Sequence, residues 1–274
     1  MKRLRTSIKT HGGKHYLAAW IAAKFPPHIH YVEPCAGGLS VLLAKDPEGV
    51  SEVVNDIDGL LTNFWRVLQG RESRRTFIET LSLIPFSEPE FDHAKSVCDS
   101  LADRRWTDAN VNAAVDFFIL ARQSLAGRQK DFAPLSRTRT RRGMNEQASA
   151  WMTAIDGLEA VGERLRRVVI LNRPALDVIQ SEDAPSTLFY LDPPYLGETR
   201  TSKQVYRYEM TTDDHRRLLQ TIGNVDGKVA ISGYHSDLYD FALRGWNLHE
   251  YETPNHSSGG ASKRTMTECL WTNY

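Results

Sequence analysis

A strand, a glycine turn and a helix follow one another in the segment IHYVEPCAGGLSVLLAK, and this order constrains the fold more than any other feature of the chain. The apolar residues of the strand end at Val32, Gly37 and Gly38 form the turn, and the run VLLAK has helical character. A second short strand, EVVN, is followed by the carboxylate of Asp56. Two strands joined by a helix in this way predict a parallel sheet that opens with half of a Rossmann unit.

The rest of the chain divides into a helical middle and a second set of strands. Helix-period segments such as NVNAAVDFFILARQSL dominate residues 71–164, and strand patterns return with RVVILN and TLFYLD. In the tail, Thr211 and Asp214 predict a capping box at the start of a helix. The length of 274 residues corresponds to about 1.8 typical domains. We therefore expect one α/β domain over 1–70 and 165–274 that carries an inserted helical unit over 71–164.

Hydropathy and cysteine spacing exclude several classes of protein. The longest apolar runs, such as FFILA, fall far short of the ~20 residues that cross a bilayer. The N-terminal sequence lacks the apolar core of a secretory signal, so a cytoplasmic protein is expected. Cys35, Cys98 and Cys269 form no CxxC pair, and the nine histidines show no ligand spacing. Reduced thiols and no metal site are therefore expected.

Basic residues are concentrated in one stretch, although the 34 Lys+Arg balance the 34 Asp+Glu of the chain. Between residues 122 and 142 the only acid is Asp131, and glycines and a proline predict a surface loop in this stretch. Such a cluster is typical of a nucleic-acid-binding surface, because each phosphate contact releases counterions. A solvated basic loop is the alternative. The basic residues are Arg122, Arg128, Lys130, Arg137, Arg139, Arg141 and Arg142.

The segment VEPCAGGLS ends the first predicted strand, and open α/β sheets bind their ligands at the carboxyl ends of strands. Glu33 offers a carboxylate at the strand tip, while Gly37 and Gly38 let a ligand approach the backbone closely. Asp56, at the end of the second strand, can accept both hydroxyls of an adenosine ribose. The pattern is typical of a nucleoside-cofactor site, and a Gly-Gly turn without a ligand is the alternative.

The segment FYLDPPYLG is the more specific motif. Two prolines after a buried strand cannot donate to the sheet, so Pro193 and Pro194 predict a rigid turn with free carbonyls. The Asp192 carboxylate and a neighbouring proline carbonyl can accept the two hydrogens of an amino group and orient its nitrogen toward a methyl donor. Tyr195 offers a face on which a planar base can stack, an interaction worth ~1 to 3 kcal/mol. An Asp-Pro turn beside a core tyrosine is the alternative.

These motifs resemble those of the Dam-type DNA adenine-N6 methyltransferases, especially the variants of phages and prophages. The motif order is similar along nearly the whole chain, with GGK, EPCAGG, an inserted target-recognition region and DPPY. RQSLAG, TRRGMNEQASAW and KRTMTECLW are also similar to phage-type members. The resemblance implies a Rossmann-like S-adenosylmethionine-dependent fold and methyl transfer to N6 of an adenine flipped out of double-stranded DNA. We expect a monomer in the bacterial cytoplasm, of phage or prophage type, without metal or membrane.

The resemblance also assigns roles to individual residues. Asp192, Pro193, Pro194 and Tyr195 match the catalytic tetrapeptide that grips the adenine amino group, and residues 71–164 match the target-recognition region. By the same resemblance, the cofactor-binding residues are His11, Gly12, Gly13, Lys14, Glu33, Pro34, Cys35, Ala36, Gly37, Gly38, Asp56 and Asp192.

The chain departs from the family pattern at two places. Leu39 stands where the cofactor turn usually carries another glycine, which is expected to narrow the turn or shift its backbone. Pro174 lies where many relatives place an acid that contacts the cofactor adenine, and Asp177 follows three residues later. The sequence leaves that role unassigned.

Three other functions remain open from the sequence. The first is methylation of another amino group, that of RNA adenine, DNA cytosine or protein glutamine, because enzymes with related tetrapeptides catalyse those reactions. A DNA-binding module that has lost turnover is the second, with Leu39 and Pro174 as the residues that would explain the loss. A nicotinamide dehydrogenase is the third, although the chain lacks the GxGxxG pattern.

Overall fold

The computed structural model describes residues 4–9, 12–133, 138–200, 206–254 and 265–274. Two compact units divide the chain. The first comprises Met1–Ala19, Gly37–Asp46 and Asp58–Asn172, and the second comprises Trp20–Ala36, Pro47–Ile57 and Arg173–Tyr274. The predicted insert, 71–164, lies within the first unit, and its assignment as a separate recognition domain stays a prediction.

Helices and strands alternate at both ends of the chain, and helices dominate its middle. The helices are α1 (Ala18–Ala22), α2 (Ser40–Ala44), α3 (Gly59–Gln69), α4 (Arg71–Ser82), α5 (Glu88–Ser100), α6 (Val111–Gln123), α7 (Glu146–Asp156), α8 (Leu158–Leu165), α9 (Ala175–Ser181), α10 (Thr212–Ile222) and α11 (Asp237–Ala242). The strands are β1 (His30–Glu33), β2 (Ser51–Asn55), β3 (Thr140–Arg141), β4 (Met144–Asn145), β5 (Val168–Leu171), β6 (Thr187–Leu191), β7 (Lys228–Gly233), β8 (Asn247–Pro254) and β9 (Thr265–Thr272).

The second unit contains a mixed sheet in which six strands are neighbours in the order β2-β1-β6-β7-β9-β8. The first four run parallel, whereas β9 is antiparallel to both β7 and β8. All five residues of β6 are buried, which accounts for the continuous apolar run TLFYL. Because parallel strands end at one edge of a sheet, Glu33, Asn55 and Leu191 lie at the same edge. The predicted α/β fold with a parallel-dominated sheet is confirmed.

The first unit is built mainly from helices around an aromatic core. α3 packs against α6 and α8, and α6 also packs against α4 and α5. Phe64 on α3 stacks on Phe118 of α6, with ring centroids 5.8 Å apart. The guanidinium of Arg74 is buried and donates to Glu159 at 3.1 Å and to Glu163, which ties α4 to α8. The helical character predicted for residues 71–164 is confirmed.

The structure confirms one predicted helix start. Thr211 precedes α10, its hydroxyl accepts a hydrogen bond from the Asp214 amide at 3.2 Å, and its own amide donates to the Asp214 carboxylate at 2.9 Å. This capping box satisfies amides at the start of the helix that otherwise lack partners.

Two elements differ from the sequence-based expectation. Strand β8 was not predicted, because Leu248 and Tyr251 are partly exposed and leave no buried alternation to detect. The predicted loop around the arginines contains the β3–β4 hairpin, whose two turn residues, Arg142 and Gly143, both have positive φ. A two-residue turn of this kind matches the twist of an antiparallel pair. Within the described residues, none of the helices has the length and apolar character needed to span a bilayer.

Candidate active site

The DPPY segment forms a turn directly after the central strand β6, as predicted. Pro193 and Tyr195 are buried, while Asp192 and Pro194 are half-buried and stay reachable from solvent. β6 pairs with β1 on one side and with β7 on the other, so the turn starts from a fixed point in the sheet. The arrangement holds the Asp192 carboxylate at the carboxyl edge of the sheet, where ligands bind in open α/β folds.

The Tyr195 hydroxyl donates a 2.8 Å hydrogen bond to the Glu268 carboxylate on β9. The Tyr234 hydroxyl donates to the other carboxylate oxygen at 3.2 Å. Burial, together with the negative charges of Glu268 and Asp192, raises the pKa of Tyr195 well above its usual value. Tyr195 therefore stays a neutral hydrogen-bond donor at physiological pH.

The turn after β1 is fixed mainly by Asn55, the last residue of β2. The Asn55 amide nitrogen donates to the carbonyls of Pro34 at 2.8 Å and Arg173 at 3.0 Å. Its side-chain oxygen accepts from the Arg173 amide at 2.9 Å, and its own carbonyl accepts from the Ala36 amide at 2.8 Å. One buried side chain at the end of β2 thus connects two segments, the loop after β1 and the residues before α9.

Glu33 is buried at the end of β1, and its carboxylate accepts a 2.6 Å hydrogen bond from the Tyr31 hydroxyl. Burial and the charge of Glu33 raise the pKa of Tyr31, so this phenol keeps its proton. The strand-end carboxylate predicted from the sequence is therefore present and already oriented by a neighbour on the same strand.

In the second unit, the Cys35 thiol is influenced by the charges of Asp56 and Asp192. Burial raises the pKa of the Cys35 thiol, and the negative charges of Asp56 and Asp192 raise it further. Cys35 is therefore a neutral thiol rather than a nucleophile. Asp56 is half-buried directly after β2, at the carboxyl edge of the sheet, and its role in ribose binding stays a prediction.

In the first unit, Gly37 and Leu39 shape the start of α2. Gly37 has φ +49°, no atom lies within 4 Å of the position that a Cβ would take, and its carbonyl accepts from the Trp65 indole at 3.2 Å. Leu39 is fully buried and has a left-handed backbone with φ 57°. Leu39 therefore keeps the left-handed backbone conformation that glycine, the usual residue at this position in the family, adopts without strain.

The predicted N-terminal cofactor motif is described from Gly12 onward, and His11 lies outside the described residues. Lys14 is buried, and its ammonium donates to the Gly12 carbonyl at 3.0 Å. Gly12 has φ 73°, a left-handed conformation that suits glycine. The motif therefore forms a compact turn, and its contact with a cofactor stays a prediction.

The predicted DNA-contacting residues fall into different environments. Arg139, Arg141 and Arg142 are exposed on or beside the β3–β4 hairpin, and Lys130 is also exposed. Arg122 is largely enclosed, donates to the Ala150 carbonyl at 3.1 Å, and has a pKa lowered by burial to about 10. Its position fits a structural link between α6 and α7. Arg128 is half-buried, and Arg137 lies outside the described residues.

Among the described residues, one group offers three possible metal ligands within 4.8 Å of one another, namely His235, Glu250 and Cys269. The His235 ring nitrogens lie 2.9 Å from Asp240 and 3.1 Å from Glu250. Burial and nearby acids raise the pKa of the Cys269 thiol to about 12. Hydrogen bonds and a protonated thiol account for this group, and the predicted absence of a metal requirement stays a prediction.

Asn55, Tyr234 and Glu268 support the candidate site but were not predicted from the sequence. A signal for Glu268 was present, because an acid inside the apolar strand TECLW is unusual unless it is paired. Asn55 precedes the predicted ribose-binding Asp56, and a polar residue between Val54 and a strand-end acid is a weaker signal. Their partners lie far away in the chain, which no local pattern reveals.

Comparisons with known proteins identify the family. A family model described as D12 class N6 adenine-specific DNA methyltransferase matches residues 11–254. No curated protein shows detectable sequence similarity to the chain. Among solved structures, a putative class I S-adenosylmethionine-dependent methyltransferase from Listeria monocytogenes matches with 8% identity and a TM-score of 0.36, over 98% of this chain and 62% of that one. This chain therefore spans less than two thirds of that protein. Because the family match covers most of the sequence, the chain belongs to the D12 class N6 adenine-specific DNA methyltransferase family.

Proposed function

We propose that the protein transfers a methyl group from S-adenosylmethionine to N6 of adenine in duplex DNA and releases S-adenosylhomocysteine. The observation that supports this most is the Asp192–Tyr195 turn, rigidly placed after the central strand of a chain that belongs to this family. Its carboxylate and its proline carbonyls are the acceptors that an exocyclic amino group requires.

Each unit contains residues that suit a nucleoside cofactor. In the second unit, the half-buried carboxylate of Asp56 suits two ribose hydroxyls. In the first unit, the open space beside Gly37 suits close approach of a ligand to the backbone. When bound, S-adenosylmethionine supplies an electrophilic methyl group on its sulfonium. We assign cofactor binding to the residues that match the family motifs: His11, Gly12, Gly13, Lys14, Glu33, Pro34, Cys35, Ala36, Gly37, Gly38, Asp56 and Asp192.

The chain contributes orientation to the reaction. One N6–H of adenine donates to the Asp192 carboxylate and the other to the Pro193 carbonyl, which directs the nitrogen lone pair toward the methyl donor. After the methyl group is transferred, the extra proton leaves N6 through the Asp192 carboxylate to solvent. Tyr195 provides the face on which the base stacks. The adenine must leave the DNA stack to reach this turn, since a stacked base is inaccessible.

Exposed arginines of the β3–β4 hairpin are the proposed DNA contacts. Arg139 and Arg142 lie 3.9 Å from Glu146 and Asp156, and exposed pairs at this distance are weak enough to be exchanged for phosphates. Replacing Arg139, Arg141 and Arg142 with alanine is expected to weaken DNA binding and to reduce its salt slope by about 1 for each lost phosphate contact. An unchanged affinity and slope would contradict this assignment.

We further propose that the protein acts as a metal-independent monomer in the bacterial cytoplasm, where its DNA substrate lies. The segments RQSLAG and TRRGMNEQASAW, which resemble phage-type members, support a phage or prophage origin. A role in restriction-modification would require a partner nuclease of the same site specificity.

To test this proposal, purified protein is incubated with S-adenosylmethionine and duplex DNA that lacks methylated adenine. The DNA is then digested to nucleosides, which are analysed by mass spectrometry. N6-methyldeoxyadenosine should appear with the wild type and disappear with Asp192→Ala. Asp226→Ala is the matched control, because Asp226 is an exposed acid just before β7, at the opposite edge of the sheet. It should leave the yield unchanged.

Two outcomes would overturn the proposal. Methylated cytosine, or methylation of RNA or protein only, would assign the same turn to another amino acceptor. DNA binding without measurable S-adenosylmethionine affinity would favour a module that has lost turnover.

A further inference from the structure

A buried carboxylate connects strand β9 to the Asp192–Tyr195 turn. Glu268 is 5% exposed. Its two oxygens accept hydrogen bonds from two phenols, Tyr195 at 2.8 Å and Tyr234 at 3.2 Å. The strand register explains this position, because Cys269 lies opposite Gly233 at the end of β7. Glu268 therefore lies beside the residues that follow β7.

A carboxylate is an expensive side chain to place inside a sheet. Removing it from water costs free energy that hydrogen bonds must offset, and an apolar side chain of similar size is often as stable or more so. The neighbours Leu270 and Trp271 of β9 are both buried. Packing alone would therefore favour an apolar residue at this position, so the acid requires another explanation.

The contacts of the two phenols suggest that Glu268 fixes the orientation of the Tyr195 ring. The Tyr195 ring is fixed at one end by the backbone turn after β6 and at the other by its hydroxyl on Glu268. The Tyr234 ring lies edge-to-face against it, with ring centroids 4.7 Å apart and planes at 80°. Two attachment points define the long axis of the Tyr195 ring, and the perpendicular neighbour restricts rotation about that axis.

We propose that Glu268 is a positioning residue for methyl transfer, which holds the Tyr195 ring, with the help of Tyr234, in the orientation that stacks the target adenine. This inference rests on the proposed function. The carboxylate acts only through the Tyr195 hydroxyl and does not itself touch the base. A loosened ring would misplace the adenine amino group relative to Asp192, so the loss should fall on the chemical step.

The test measures single-turnover methyl transfer, the KM for DNA and the Kd for S-adenosylmethionine. Glu268→Ala should lower the methyl-transfer rate by about 100-fold, the scale of a small misplacement, with little change in cofactor affinity. Glu268→Gln keeps one acceptor oxygen and should retain part of that rate. Glu252→Gln is the matched control, because Glu252 is an exposed acid on the neighbouring strand β8, opposite Thr267. Its rate should equal that of the wild type.

A double-mutant cycle separates positioning from general packing. Tyr195→Phe keeps the ring and removes the hydroxyl, so Glu268→Gln should have no further effect on the rate in that background. If Glu268→Gln lowers the rate by the same factor in both backgrounds, the carboxylate does not act through Tyr195 and the proposal is wrong. An unchanged rate in folded Glu268→Ala or Glu268→Gln would also overturn it.

A second measurement does not depend on turnover. The charge of Glu268 contributes to the raised pKa of Tyr195, so Glu268→Gln should let one more tyrosine ionise at lower pH in an ultraviolet titration. In the Tyr195→Phe background, the part of this difference that comes from Tyr195 should be lost. If the wild type and Glu268→Gln have the same ultraviolet titration curve, the contact between Glu268 and Tyr195 is refuted. A wild type that binds cofactor and DNA without making N6-methyldeoxyadenosine would refute only the proposed function.

Discussion

The two turns at the carboxyl edge of the sheet are held in different ways. The turn after β1 is fixed by the neutral amide of Asn55, which bonds to the backbone of Pro34 and Arg173. The turn after β6 is fixed by a side chain at its far end, where the Tyr195 hydroxyl meets the carboxylate of Glu268. The first turn therefore depends on backbone pairing, and the second depends on a charge.

This difference matches the proposed task of each turn. A cofactor loop must present a backbone of fixed shape, and amide bonds to the backbone set that shape directly. A turn that stacks a base must present one ring in one orientation, and a hydrogen bond at the tip of that ring controls orientation most effectively. Shape and orientation can therefore be disrupted separately.

The largest effect is expected at the first turn. Asn55→Ala leaves the carbonyls of Pro34 and Arg173 and the Arg173 amide without this partner in a buried place. At ~1 to 3 kcal/mol for each buried unsatisfied group, the free energy of unfolding should fall by about 4 kcal/mol. Cofactor affinity should fall as well, because the loop loses its shape. Urea denaturation and titration calorimetry measure the two effects.

Asn63→Ala is the matched control for Asn55→Ala. Asn63 is also a buried asparagine, and it bonds to the backbone of Asn110 through both side-chain atoms, at 2.9 Å and 2.8 Å. It should lower the free energy of unfolding but leave the affinity of the remaining folded protein for S-adenosylmethionine unchanged. Equal losses of affinity in both variants would show that Asn55 acts only through global stability.

A smaller effect is expected at Leu39, where burial and backbone strain oppose each other. Leu39→Ala should cost about 3 kcal/mol, because it empties a buried site and keeps the left-handed backbone. Leu39→Gly loses the same contacts but removes roughly 1 to 2 kcal/mol of strain. The glycine variant should therefore be at least as stable as the alanine variant in urea denaturation. If alanine is the more stable of the two, the left-handed strain at Leu39 is negligible.

The smallest effect is a pH dependence confined to the second turn. The pKa of Tyr195 is raised in the folded protein, so its contribution to stability is complete below the unfolded value of about 10 and is lost as pH rises above it. The stability of the wild type should fall above pH 10 more steeply than that of Tyr195→Phe, by at most about 1.4 kcal/mol per pH unit. Denaturation curves between pH 8 and about 11 measure this. Equal slopes of stability against pH for the wild type and Tyr195→Phe would contradict this prediction. Asn55→Ala keeps Tyr195 and should have the same slope as the wild type.

Much of the fold could be predicted from sequence because its signals are local. The buried run TLFYL, the glycine turn before α2 and the capping box of Thr211 each depend on neighbours in the chain. The exposed strand β8 gave no such signal. The arginine hairpin was hidden among polar residues, where periodicity carries little information.

In the candidate site, too, the residues with local signals were predicted and those with distant partners were not. Asp192 and Asp56 were predicted because each follows a strand directly. Glu268 was missed because its partner Tyr195 is 73 positions away, and pairing over such a distance is decided by the order of β7 and β9 in the sheet. The strand-end acids could therefore be predicted from the sequence, whereas the hydrogen bond between Tyr195 and Glu268 could be found only once the strand order was known.

The antiparallel strand β9 also has a consequence for biosynthesis. The ribosome makes Tyr195 long before Glu268, since 73 positions separate them. A nascent chain that has already emerged with β1, β6 and β7 contains the Asp192–Tyr195 turn, but the carboxylate that accepts the Tyr195 hydroxyl is absent until β9 is translated. The Tyr195 ring therefore reaches its hydrogen-bonded position only after β9 has been translated, and a ribosome that stalls before β9 would leave the Tyr195 turn without Glu268.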